Sequence, residues 1–316
     1  MRILTHAQKL YPQTDTHYTL GLTLTWWGNK LLAQGDEAGA KEKFSQAIDA
    51  LITASKRLPT RLEYYTELVK LLNRVGRFDE AAKYSDRAIA VYHWVTMSQN
   101  VEYLFYLWKG QALIAQNRLD DAIKVLSEAP KLVYDKQNPE QKAKGAKPVP
   151  LVDQPQAYLL LGQAYEKKGD LAEAEKQYNL YLTKNNRLSK ENRSNDILFF
   201  QGRLYEKIAD SEPDAESRLK YKTWAAEKYR MLVKLNEDFA NFKEKKGAAL
   251  TDSDLKAFYS ENGRPLSDKM YQEALKGLQR IEAGQPYPKE EEVVPIESES
   301  VSLGEAQINT GDEEGK

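Results

Sequence analysis

Residues 155–182 read PQAYLLLGQAYEKKGDLAEAEKQYNLYL, and they hold two amphipathic helical patterns separated by Gly169 and Asp170. The apolar or small residues that share one face of the first pattern are Tyr158, Leu161, Gly162 and Tyr165. Those of the second are Ala174, Tyr178 and Tyr181. Glycine takes up the left-handed conformation that ends a helix, and aspartate caps the helix that follows. The stretch therefore predicts a helix-turn-helix pair.

Similar patterns occur before and after this stretch. The residues at the place of Gly162 are Gly28, Val69, Gly110, Gly162 and Gly202, at intervals of 41, 41, 52 and 40 residues. These units resemble the tetratricopeptide repeat, in which a small residue lets two helices approach closely. The resemblance implies an all-α fold, a right-handed α-solenoid of TPR-like helix-turn-helix repeats. Because the usual period is about 34 residues, we expect second helices longer by about two turns.

The repeats predict a division of the chain. Five TPR-like repeats are expected over residues 14–240, with a proline- and lysine-rich insertion at 130–155, and capping helices over 241–284. Leu4, Ala7 and Pro12 have the spacing of a second helix and its closing proline. We therefore predict a lone N-terminal helix, half a repeat, at residues 1–13. The alternative is that the natural chain begins further upstream.

Negative charge is concentrated at the C-terminal end. Residues 289–316 carry nine acidic residues and two lysines, which leaves 44 basic and 38 acidic residues in the rest of the chain. This end has no aromatic residue and cannot bury enough apolar surface to offset the entropy of ordering, so an acidic disordered tail is predicted over 285–316. It is either a solubilising tail or a docking segment.

The sequence contains no pattern for catalysis or metal binding. It has no cysteine and three histidines, and it lacks a phosphate-binding loop and the other common catalytic motifs. We therefore expect no enzyme activity, no catalytic residue, no bound metal and no cofactor. No apolar run approaches the roughly 20 residues of a membrane-spanning helix.

The family resemblance also implies a concave binding groove. Its lining residues stand just before and just after the place of Gly162 in each repeat, which we call the small position. In this chain the resemblance places in the groove Thr25, Trp26, Asn29, Glu67, Lys70, Leu107, Trp108, Gln111, Leu160, Gln163, Phe199, Phe200 and Arg203. Large apolar side chains on such a wall indicate a binding site. The alternative is that they pack between neighbouring helices.

These observations predict a non-catalytic scaffold or adaptor that binds an apolar or amphipathic segment of a partner protein in the groove. The lysine and asparagine pattern with which some family members clamp chaperone C-termini is absent. The alternative function is a structural subunit or assembly factor that contacts its partners through convex faces and the lysine-rich loop. No nucleic-acid partner is expected, because the basic residues are scattered among acidic ones. A cytoplasmic location is expected, or a periplasmic one if the natural N-terminus is missing.

Overall fold

The computed structural model describes residues 16–92, 102–131, 133–134, 149–150, 155–186 and 194–288. These residues form twelve α-helices, most of which are arranged as successive helical hairpins. The chain divides into two compact units, Met1–Val152 and Asp153–Lys316. The predicted all-α fold of TPR-like helix pairs is confirmed.

The first unit holds three helical hairpins, in which each odd-numbered helix packs against the even-numbered helix after it. The six helices are α1 (Thr16–Ala33), α2 (Glu37–Arg57), α3 (Leu62–Arg74), α4 (Phe78–Tyr92), α5 (Glu102–Ala115) and α6 (Leu119–Glu128), and a short 3₁₀ helix follows at Ala129–Lys131. Each second helix also packs against the next first helix, α2 against α3 and α4 against α5.

The second unit begins with two hairpins and ends with two further helices. Its helices are α7 (Gln156–Lys168), α8 (Leu171–Asn185), α9 (Asp196–Ser211), α10 (Ala215–Lys246), α11 (Asp252–Asn262) and α12 (Asp268–Glu282), with a 3₁₀ helix at Gly247–Ala249. Helix α12 packs on α10 and α9. The N-cap of α11 is Thr251, which forms a reciprocal capping box with Asp254.

The two helices of a hairpin can pair because they approach each other closely at a glycine. A Cβ atom added to Gly162 of α7 would lie only 2.2 Å from the ring of Tyr178 on α8. Between the two helices, Gly169 ends α7 at φ +89°, and the carboxylate of Asp170 accepts a hydrogen bond from the Glu173 amide. The turn and the small residue therefore act together to hold the hairpin.

The structure differs from the predicted division of the chain in three places. Helix α10 continues to Lys246, past the repeat boundary predicted at 240, because no helix-breaking residue interrupts it. The predicted insertion is not wholly a loop, since Val133–Tyr134 pairs antiparallel with Val149–Pro150. Residues 285–288, predicted to belong to the disordered tail, lie against α9 and α12. The predicted N-terminal helix at 1–13 and the tail residues 289–316 lie outside the described residues.

No described helix combines the length and the apolar composition needed to cross a lipid bilayer.

Candidate protein-interaction surfaces

The large apolar residues predicted to line the groove are, with one exception, core residues. Trp108 is 6% exposed and Phe200 is fully buried, and the other three buried members of the predicted set are Leu107, Leu160 and Phe199. The expectation that these five side chains face solvent is therefore wrong. The physical reason is visible at Phe200, whose ring centroid lies 6.0 Å from that of Tyr178 on the preceding second helix. At this place α9 faces the preceding second helix rather than an open wall.

Several polar members of the predicted set are bound to other groups of the protein. Lys70 pairs with Glu67 at 3.0 Å on the same helix. Asn29 accepts a hydrogen bond from Arg74, and the Thr25 hydroxyl donates to the Gly21 carbonyl. Gln111 and Gln163 are half-buried. Arg203 is bound to Glu166 in the second unit, as described below.

Trp26 alone among the large predicted groove residues is exposed, at 64% of its surface. It lies on α1 in an open cavity of about 380 Å³ lined by Thr23, Trp26, Trp27, Lys30 and Gln34. We call these five residues the aromatic face. The Lys30 ammonium lies 5.6 Å from the Trp26 ring centroid. The Lys43 ammonium of α2 lies 4.9 Å from the Trp27 ring.

The corresponding face is buried on α9. Relative to the small position, Trp26 and Trp27 on α1 correspond to Phe200 and Gln201 on α9. The α9 residues that correspond to Thr23, Trp26, Trp27 and Lys30 are all buried, and they are Ile197, Phe200, Gln201 and Leu204. Helix α8 packs against α9. On α1 itself, Trp26, Trp27 and Lys30 are exposed.

The second unit contains a buried ion cluster centred on Glu166, whose side chain is 1% exposed. Arg203 donates two hydrogen bonds to this carboxylate, at 2.7 and 2.8 Å, and the Tyr178 hydroxyl donates a third at 2.7 Å. Lys207 lies 3.1 Å away. Burial alone would raise the pKa of Glu166, but the charges of Arg203 and Lys207 and these hydrogen bonds lower it to about 2. The carboxylate is therefore ionised at neutral pH.

A second cluster repeats this arrangement one repeat later. Glu206 accepts a hydrogen bond from the Tyr229 hydroxyl at 2.7 Å and two from Arg280, at 3.2 and 3.0 Å. Here burial outweighs the single arginine and the tyrosine, so the pKa of Glu206 is raised. Each carboxylate lies four residues after the small glycine of its repeat, Gly162 or Gly202.

Both clusters consist of ion pairs and hydroxyl donors, which is the composition of a structural network. The described residues contain no group of histidine, aspartate and glutamate side chains arranged to hold a metal ion. Sequence reasoning missed Glu166 and Glu206, although a signal was present: a glutamate follows the small glycine by the same four residues in two successive repeats.

Two family models match separate parts of the chain. A family model described as Tetratricopeptide repeat matches residues 32–90, and one described as Tetratricopeptide repeat protein 21 ARM repeat matches residues 100–212. A search of curated proteins found no match.

Several solved structures are similar at low identity. MamA from Desulfovibrio magneticus RS-1 is 14% identical, with 66% of this chain and 95% of that chain covered and a TM-score of 0.42. PilW, a type IV pilus biogenesis factor, is 17% identical over 70% of this chain and 80% of its own, also at 0.42. A thermophilic TPR protein of Thermus thermophilus is 17% identical over 77% of this chain and 98% of its own, at 0.40.

Proposed function

Because this chain belongs to the tetratricopeptide repeat family, whose fold is that of a protein–protein interaction scaffold, we propose that it is a non-catalytic adaptor whose aromatic face binds an amphipathic helix of a partner protein. The observation that supports this proposal is the exposure of Trp26 at a position that is buried on α5 and α9. The proposed ligand is a protein, not a nucleic acid.

A helix suits this face because a helix of the same chain covers the corresponding face of α9. The bound segment would remove the indoles of Trp26 and Trp27 from water, and each large apolar side chain buried contributes roughly 1.5–3 kcal/mol. Tryptophan is also enriched among the residues that dominate interface energies. Lys30 lies beside the Trp26 indole, so an acidic residue on the partner helix would strengthen binding.

The predicted helix at residues 1–13 is the competing occupant. A helix ending just before Thr16 and running antiparallel to α1 would reach about 18 Å along it in 12 residues, at 1.5 Å per residue. That length extends to about Gly28, short of Lys30 and Gln34. The two occupants can be distinguished by covalent capture.

The test places a photoreactive phenylalanine analogue at position 26 of the full chain in its native host. Leu219 on α10 is a matched control position, since its side chain is 67% exposed against 64% for Trp26. We expect an adduct to a partner protein at position 26 that is absent at position 219. The captured peptide, once sequenced, should be amphipathic. Its synthetic copy should bind the wild-type chain by calorimetry and bind the Trp26→Ala variant at least about tenfold more weakly, as expected for a central tryptophan.

Two outcomes would overturn the proposal. An adduct that joins position 26 to residues 1–13 of the same chain would show that the face is covered from within. Equal binding of the synthetic peptide by the wild-type chain and Trp26→Ala would show that the aromatic face does not bind it.

The alternative role as a structural subunit stays a prediction, because most of the lysine-rich insertion lies outside the described residues. The cytoplasmic location is likewise part of the proposal.

A further inference from the structure

The chain turns back on itself after α12. Gly284 has a φ of +67°, and the amide of Gln285 donates to the Arg280 carbonyl at 2.9 Å, which closes the end of the helix. Residues 285–288, Gln-Pro-Tyr-Pro, then lie outside any helix or strand and contact α9 and α12 through Tyr287. At the centre of this segment, the backbone amide of Tyr287 donates to the carboxylate of Asp210 at 2.6 Å.

The Tyr287 ring lies close to two cations from different helices. The Lys207 ammonium of α9 is 5.3 Å from the ring centroid, and the Arg280 guanidinium of α12 is 5.2 Å from it. Cations at this distance over an aromatic face attract it. Burial is the main cause that raises the pKa of Tyr287 to about 12, so its hydroxyl stays protonated at neutral pH.

The segment lies near one polar residue of the predicted groove. Arg203, one residue after Gly202, was a predicted groove residue, and Lys207 lies one helical turn further along the same face of α9. Both bind Glu166 on one side, and Arg280 binds Glu206 on the other. The two buried clusters therefore fix the side chains that hold Tyr287.

The contacts to Tyr287 are of the kind that a separate peptide can make. One is a backbone hydrogen bond to the carboxylate of Asp210, an exposed residue, and the others are ring contacts to cations that are already held in place. Pro286 and Pro288 restrict the segment to an extended form, which lowers the entropy cost of binding.

We propose that Lys207, Asp210 and Arg280 form a binding site for an extended peptide that carries a tyrosine, and that the chain's own Gln285–Pro288 fills this site until such a peptide displaces it. The partner is a protein segment in which proline flanks tyrosine. The site lies within the second unit and does not depend on the aromatic face of α1.

The experiment uses a fluorescent synthetic peptide with the sequence of residues 283–290 and a control peptide with alanine in place of tyrosine. Binding to the full chain and to its Tyr287→Ala variant is measured by anisotropy. We expect Tyr287→Ala to bind the tyrosine peptide at least about tenfold more tightly than the wild-type chain, and not to bind the alanine peptide. In the Tyr287→Ala background, Asp210→Ala should weaken binding, whereas Asp238→Ala, which removes an exposed aspartate of α10, should not.

A second measurement does not require a variant. Hydrogen exchange of the Tyr287 amide in the wild-type chain should become faster when about 1 mM unlabelled peptide is added, because the peptide takes over the bond to Asp210. The proposal is overturned if the peptide binds both chains equally, if it binds neither at about 1 mM, or if the exchange rate does not change.

Discussion

Replacing Arg203 by methionine tests whether the Glu166 cluster stabilises the second unit. Methionine keeps much of the length and apolar stem of arginine but removes its charge and both hydrogen bonds to Glu166. That carboxylate is 1% exposed and cannot turn to water. Breaking a buried pair by removing one partner typically costs about 3–5 kcal/mol. Because Lys207 remains at 3.1 Å, we expect about 3 kcal/mol, at the lower end of that range.

The assay is urea denaturation followed by far-ultraviolet circular dichroism, with Arg118→Met as the matched control. Arg118 pairs with Asp121, but both side chains are more than half exposed, at 54% and 55%. Exposed pairs of this kind contribute at most about 1 kcal/mol. The comparison therefore separates the effect of burial from the loss of an arginine as such.

The difference in free energy of unfolding between Arg203→Met and the wild-type chain should depend on pH, and this dependence provides the refuting test. The pKa of Glu166 is about 2 in the folded state, below the unfolded value of about 4.3. Its stabilising contribution is therefore complete above the unfolded pKa and is lost as pH falls through about 2. Without Arg203 the folded pKa rises, so the stability gap between variant and wild type should narrow from pH 7 to pH 3. A loss below about 1 kcal/mol at pH 7, or a gap that does not change with pH, would refute the reasoning.

Three further comparisons test packing and helix capping, each by the free energy of unfolding in urea. Gly162→Ala should cost about 1–3 kcal/mol, because the added methyl group would lie 2.2 Å from the Tyr178 ring, and an unchanged midpoint would contradict the close approach. Trp108→Ala should cost about 3–5 kcal/mol, whereas Trp26→Ala should stay within about 0.5 kcal/mol, so equal losses would contradict the burial assignment. Thr251→Ala should cost about 1 kcal/mol through loss of the α11 capping box, while Thr251→Ser should restore most of it.

The fold could be predicted because its determinants are local. The pattern from Tyr158 to Tyr181 specifies two amphipathic helices, and Gly169 with Asp170 specifies the turn between them. The contact between Gly162 and Tyr178 follows from that hairpin alone. The sequence alone therefore sufficed for these elements.

The surface could not be predicted because it depends on neighbours along the array. Trp26 and Trp108 have the same residue type at the same place in their repeats, yet one is exposed and the other is in the core. For Trp108 the neighbour is α4, which packs against α5. The residue type at one position therefore does not reveal whether its side chain is buried or exposed.

The two carboxylate clusters have a consequence for how the second unit comes apart. An array of helical hairpins can in principle open from one end, one hairpin after another. Here Glu166 is joined to Arg203 of the next hairpin, and Glu206 to Arg280 of the last helix. Separating either end from the rest would leave Glu166 or Glu206 buried without its arginine partner. The five helices that the clusters join, α7, α8, α9, α10 and α12, should therefore open together in a single step, and a partner bound to one of them would act on all five.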